Sequence, residues 1–304
     1  MLHREGTSRI KYVRHCADNQ VVRKRNKMKQ TTDNYTFLTH APVHKVIVSM
    51  AVPTIISMLI TSIYGMVDTY YVGKINTQST AAVGISFSVM TIIQAIGFFF
   101  GHGSGNYISR CLGSKETEKA RCMAVTGLLY SFAFGLLVSV VGLVFLTDIS
   151  YLLGSTETIQ PYTERYLGII LCGAPFMTSS FTLNNQMRFQ GNAKYAMYGI
   201  LSGVLLNVVL APILIFYLCL GITGAAVATL VSQIMSFFIL FKMTRHSGNI
   251  AIRLKDYVPS WLLVKEIVAG GTPSLSRQGL SSVATIMLNV SAGAYGDAAI
   301  AGMS

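Results

Sequence analysis

Seven stretches of this chain are long and apolar enough to cross a lipid bilayer as helices. They run over residues 46–72, 80–105, 122–147, 163–187, 195–219, 222–243 and 265–295. Spanning the hydrocarbon core takes about 20 apolar residues at 1.5 Å per residue. The pattern predicts an all-α polytopic membrane protein. Composition agrees: 12% of the 304 residues are charged and 52% are apolar, where a soluble domain carries about 25% charged residues.

The basic residues fix an orientation. Arg110, Lys115, Lys119 and Arg121 fall in one loop, Arg188 and Lys194 in the next on that side, and Lys242, Arg245, Arg253, Lys255 and Lys265 in a third. The opposite loops hold Lys74 and Arg165 beside the acids Asp148, Glu157, Glu164 and Asp297. Basic loops stay in the cytoplasm, so the N-terminus is expected there and the protein in the plasma membrane (the inner membrane, in a bacterium). Loop-wise alternation is a topology signal, and no nucleic-acid partner is expected from the net charge of +12. Residues 1–45 read as a basic tail, 46–244 as a six-helix lobe, 245–264 as a linker and 265–304 as the start of a second lobe. The first 27 residues lack the apolar core of a secretory signal, and Met28 offers a second start, so they read as a mis-assigned upstream start or a tail.

One carboxylate lies deep in a span. Asp68 shares a face with Thr54, Ser57, Thr61 and Tyr64, spaced at three and four residues as one helical stripe. An acid inside the membrane is costly and marks an ion or substrate path. A comparable stripe on the seventh span carries Ser274, Gln278, Ser281, Thr285 and Asn289. Such stripes suit a cavity wall or interhelical hydrogen bonding. Pro53 and Pro175 lie inside spans and favour kinks. Glycines at 97, 101 and 105, and at 199 and 203, predict close packing seams.

Enzyme chemistry finds no support. His102 has no carboxylate one helical turn away, and the five cysteines form no metal-binding spacing. No metal or cofactor is expected.

The chain repeats itself. Lys45–Pro53 aligns with Lys265–Pro273, and Thr80–Ser86 with Ala298–Ser304, six spans apart. An even number of spans makes this a parallel repeat, of the kind built from two six-helix halves. The second copy breaks off at its second helix, which leads us to expect a piece of a longer protein.

Several segments together resemble the multidrug and toxic compound extrusion (MATE) transporters of the DinF and MepA-like branch, over about residues 40–304. They are Val67-Asp68-Thr69 with Val72-Gly73-Lys74, Ile108 to Gly113 with Glu118-Lys119-Ala120, Arg188 to Asn192, Asn207 to Pro212, and Gly221 to Ala226. The resemblance implies the N-terminal lobe of a twelve-helix, two-lobed antiporter plus helix 7, exporting cationic and amphipathic drugs against protons or sodium ions. Carried over, its coupling network comprises Asp68, Tyr64, Tyr166, Asn207 and Thr229, with Asp68, Asn207 and Thr229 a weak sodium candidate and Pro53 a hinge. Asn184 belongs to that network by resemblance, but its depth near the basic end makes it a substrate contact or structural glue. Thr61, Ser57, Gln278 and Met177 complete the expected substrate cavity. The family's usual second acid is absent: Ala211 stands where the branch commonly has Asp. One carboxylate favours proton over sodium coupling, since hard cations seek several oxygen ligands. Expected partners are organic cations and membrane lipids, with a monomer when full length. The alternatives are a lipid-linked oligosaccharide flippase of related fold, or a fragment that does not transport.

Overall fold

The computed structural model describes residues 41–245, 249–258 and 260–293. Residues 1–40, with the basic tail and Met28, and residues 294–304, with the second half of the repeat, lie outside this set. The described residues are helical with short connections: α1 (Val43–Gly73), α2 (Thr77–Gly113), α3 (Thr117–Val144), α4 (Leu146–Leu152), α5 (Gln160–Phe189), α6 (Ala193–Pro212), α7 (Gly221–Thr244) and α8 (Trp261–Gly293).

Local chemistry sets the ends. Asn76 caps α2 by accepting from the Ser79 N–H at 2.6 Å. Pro161 opens α5, where a missing N–H costs nothing. The three-residue turns 114–116 and 190–192 reverse the chain, helped by left-handed Lys115 (φ 63°) and Gly191 (φ 81°). Pro212 ends α6, and five residues, Ile213–Tyr217, continue as a π-helical turn. Proline disrupts the i to i−4 ladder, and the wider turn re-pairs the chain, with Leu218 N–H donating to the Ile213 carbonyl at 3.0 Å.

Six of the helices, α1, α2, α3, α5, α6 with its π turn, and α7, are long and apolar enough to span a membrane among the described residues. The seventh expected span does form a 33-residue helix, α8, but falls outside that set. Lys265, Glu266, Arg277 and a run of hydroxyl side chains dilute its apolar character. The sequence reading also missed α4, merging its start into the third span.

Helix α5 is the axis of the bundle, packed by α2, α3 and α7. Hydrogen bonds between helices tie this centre, as membrane bundles require in place of a hydrophobic drive. Gln186 Nε2 donates to Ser104 Oγ at 2.9 Å on α2 and lies 3.2 Å from the Ala124 carbonyl on α3. Thr182 Oγ1 sits 2.7 Å from Ser131 Oγ and 3.2 Å from the Gly97 carbonyl. The expected glycine seams are present. A methyl placed on Gly97, Gly101 or Gly105 would collide with Phe181, Asn185 or Phe189 of α5, and one on Gly199 would strike Leu240 of α7. Gly103, on another face of α2, abuts the backbone of Ile267 in α8.

The basic ends of the helices gather at one pole. There the segment after α7 is fastened down: Ile250 N–H donates to Gln190 Oε1 at 2.8 Å, and Asn249 Nδ2 to the Met243 carbonyl at 2.9 Å. Arg110 pairs with Glu266 at the start of α8.

Candidate functional site

The polar stripe of α1 faces inward. Ser57, Thr61, Tyr64 and Asp68 all line an open cleft of about 1270 Å³, whose other walls come from α2, α5, α6 and α8. Ser57 and Thr61 spend their hydroxyl protons on the carbonyls one turn back, those of Pro53 at 2.7 Å and Ser57 at 2.8 Å. Their lone pairs remain for the cleft. Thr54, bonded to the Met50 carbonyl, is not part of the lining.

Asp68 is the only carboxylate on this lining, and its Oδ1 is buried without a hydrogen-bond partner among the described residues. Tyr64, one turn before it, and Tyr166 on α5 both lie within electrostatic reach of the carboxylate, and both phenols rest against Thr229 of α7. Thr229 Oγ1 in turn accepts from Asn207 Nδ2 of α6 at 3.2 Å. Residues from α1, α5, α6 and α7 therefore come together. Beside them a narrow annex of about 90 Å³ runs between these four helices. It exposes Ser180 and Ser232, whose buried Oγ atoms are without partners among the described residues.

Ala211 is 1% exposed within the apolar core. It brings no oxygen to the Asp68 group. Among the described residues no cluster of three or more metal-ligating acids, histidines or cysteines exists.

Other expected cavity residues divide. Asn184 is both lining and glue: it borders the cleft and annex, and its Nδ2 donates to the Ala196 carbonyl at 2.8 Å. Met177 does not reach the cleft; it is buried in the apolar core, because its position on α5 turns it away from α1. Met58, Met66 and Met90 do line the cleft. Gln278, Ser274 and Ser281 are absent from the lining, and only Thr285 and Asn289 of that stripe reach it. Asn289 is held by Ser88 Oγ at 3.1 Å. The stripe is 16 residues long on α8, and only its far end borders the cleft. Pro53 is buried inside a continuous α1. His102 is a packing residue, its Nδ1–H donating to the Phe98 carbonyl at 3.0 Å.

The cleft also has walls that sequence reading passed over: Gln94 and Phe98 on α2, and Phe181 and Arg188 on α5. Gln94 carried a signal, an amide in an apolar span. Arg188 enters the sequence reading through topology and through the Arg188 to Asn192 segment of the family resemblance, and the phenylalanines are indistinguishable from core.

Such a molecule, a bundle of membrane-crossing helices around a polar-walled cleft with one inward acid, has the architecture of a small-molecule transporter lobe. The chain belongs to the MatE family, whose profile matches residues 53–213. It is 33% identical to the multidrug export protein MepA of Staphylococcus aureus (strain MRSA252), over 73% of this chain and 49% of that protein. MepA of Staphylococcus haemolyticus (strain JCSC1435) is also 33% identical, over 74% of this chain and 50% of its own length. Among solved structures, the inward-facing conformation of a multidrug resistance MATE family transporter of the MOP superfamily superposes with a TM-score of 0.76 at 29% identity, covering 85% of this chain and 59% of that one. The chain spans about half the length of the curated relatives it matches.

Proposed function

We propose that this chain supplies the amino-terminal lobe, residues 46–244, and the first helix of the second lobe of a multidrug exporter. That exporter releases organic cations in exchange for protons, with Asp68 as the coupling carboxylate. The observation that carries this is the buried Oδ1 of Asp68, unpartnered among the described residues, on the wall of a cleft shared with Tyr64 and Tyr166, both of which rest against Thr229. An ionised Asp68 offers a cation the one full negative charge on this wall. Protonation removes that charge and releases the cation, so cargo and proton compete for one group. The methionines on the lining add polarizable, adaptable contacts suited to varied apolar bodies.

Sodium fits less well. Thr229 Oγ1 already accepts from Asn207 Nδ2, and Ala211 withholds a second acid. Pro53, buried within α1 below the stripe, is the position at which we expect that helix to bend as Asp68 changes charge. The orientation inferred from charge puts the basic pole and the N-terminus in the cytoplasm, with the protein monomeric in the plasma membrane.

The test is uptake of ethidium by everted membrane vesicles carrying the protein as encoded, under an imposed proton gradient and then a sodium gradient. Uptake driven by the proton gradient and abolished in Asp68→Asn is expected. Uptake that persists in that variant would remove Asp68 from the mechanism, and uptake driven only by sodium would replace the coupling ion.

A further inference from the structure

The Asp68 group occupies the acidic end of the cleft, and the other end has a different chemistry. On α2, Gln94 and Phe98 are one turn apart; on α5, Phe181, Asn184 and Arg188 follow at helical spacing. All five line the cleft. The two strips face each other, since the Phe98 and Phe181 rings meet edge to face with centroids 5.5 Å apart. His102 and Phe189 continue that contact at 5.7 Å. Arg188 and Arg277 of α8 both act electrostatically on His102, so two guanidinium groups converge on this pole.

Arg188 is half-buried, yet no carboxylate forms an ion pair with it or with Arg277 among the described residues. A basic residue in the last turn of a helix is ordinarily explained by topology and by the helix dipole. Arg188 differs because it borders the cleft between α2, α5 and α6. A guanidinium drawn out of water wants a planar, bidentate anion.

We infer that the basic end of the cleft is an anion subsite, built by Arg188 against the Phe98–Phe181 wall, for an amphipathic molecule carrying a carboxylate or phosphate head group. The aromatic rings take the apolar body, Arg188 takes the acid, and the side-chain amides of Asn184 and Gln94 serve neighbouring polar groups. Arg277 adds long-range attraction from α8. The two ends of the cleft thereby select opposite charges. Tyr166 and Arg188 are 22 residues apart along α5, about 33 Å of helix, so a small cargo meets one end at a time. The subsite is independent of the coupling reading: loss of anion binding leaves Asp68 its role, and persistence of export in Asp68→Asn leaves the subsite standing.

The test is fluorescence titration of the purified protein in detergent with 1-pyrenebutyrate and its neutral analogue 1-pyrenebutanol. Wild type is expected to prefer the acid. Arg188→Met should weaken acid binding by about tenfold or more, the cost of one charge-assisted hydrogen bond, and leave the alcohol unchanged. Arg188→Lys, the milder change should the first variant not fold, should fall between the two. Phe98→Ala should weaken both ligands alike. Displacement of the acid by dihexanoyl phosphatidic acid would extend the site to lipid-type phosphates, and failure to displace would restrict it to carboxylates. Equal binding of acid and alcohol by wild type would overturn the subsite, as would an Arg188→Met effect common to both ligands. Displacement by inorganic phosphate at the same concentration as pyrenebutyrate would overturn the aromatic wall.

Discussion

Helices α1 and α5 are nearly equal in length, 31 and 30 residues, and play opposite parts. Of the most apolar stretch of α5, 72% is buried inside the bundle; for α1 the figure is 11%. The buried helix is the more polar of the two, carrying a series of hydroxyl and amide side chains from Thr178 to Gln186 that bond to α2 and α3. The exposed helix presents mostly Val, Ile and Leu outward, with one polar stripe, Met58 and Met66 on the cleft. In water this ordering would be inverted. In a bilayer, lipid is as apolar as leucine, so polar groups hold the centre and apolar ones meet the solvent. The lesson is a division of labour: α5 is scaffold, and α1, which carries Asp68, leaves most of its apolar stretch outside the bundle.

That contrast can be broken by substitution. The largest effect should come from Gly135→Leu on α3. Even a methyl there would lie 2.4 Å from Thr178 Oγ1 and 2.7 Å from Pro175 Cα, so the leucine variant should fail to yield monodisperse protein on size-exclusion chromatography. Next is Asp68→Asn, which should fold normally and lose proton-driven ethidium transport down to the level of empty vesicles. If it instead fails to fold, α1 is scaffold too and the comparison collapses. Gln186→Ala should follow, lowering stability by about 1–2 kcal/mol in thermal or denaturant unfolding, through loss of its bond to Ser104. Pro53→Ala should leave stability nearly unchanged and slow transport, measured as the initial rate of dye uptake. The smallest effect belongs to Gly65→Ala on α1, where an added methyl meets nothing within 4 Å. It should change stability by less than about 1 kcal/mol, in the stabilising direction expected of alanine in a helix.

Much of the architecture was legible beforehand. Span lengths, the basic pole, the glycine seams at 97–105 and 199–203, and the α1 stripe ending in Asp68 all follow from spacing along single helices. The failures share one cause. Met177, Gln278 and Ser281 carried suitable chemistry, but the crossing of α5 and α8 over their neighbours determines which turns reach the cleft. Phe98, Phe181 and Arg188 were missed for the complementary reason, since nothing local distinguishes a cleft-lining phenylalanine from a core one. The π turn after Pro212 and the short helix α4 had only weak local signals.

Sequence alone determined that this is a helical membrane protein with one buried acid on an inward stripe, because helix periodicity and the cost of charge in lipid act within a single segment. It also determined the absence of a second acid at Ala211. Only the tertiary structure decided that Tyr166, with Thr229 against it, joins the Tyr64–Asp68 face at one end of the cleft, and that Arg188 stands at the other. Those juxtapositions depend on how far glycines let helices approach and which turns interdigitate, and that information is spread over pairs of helices rather than written in any one of them.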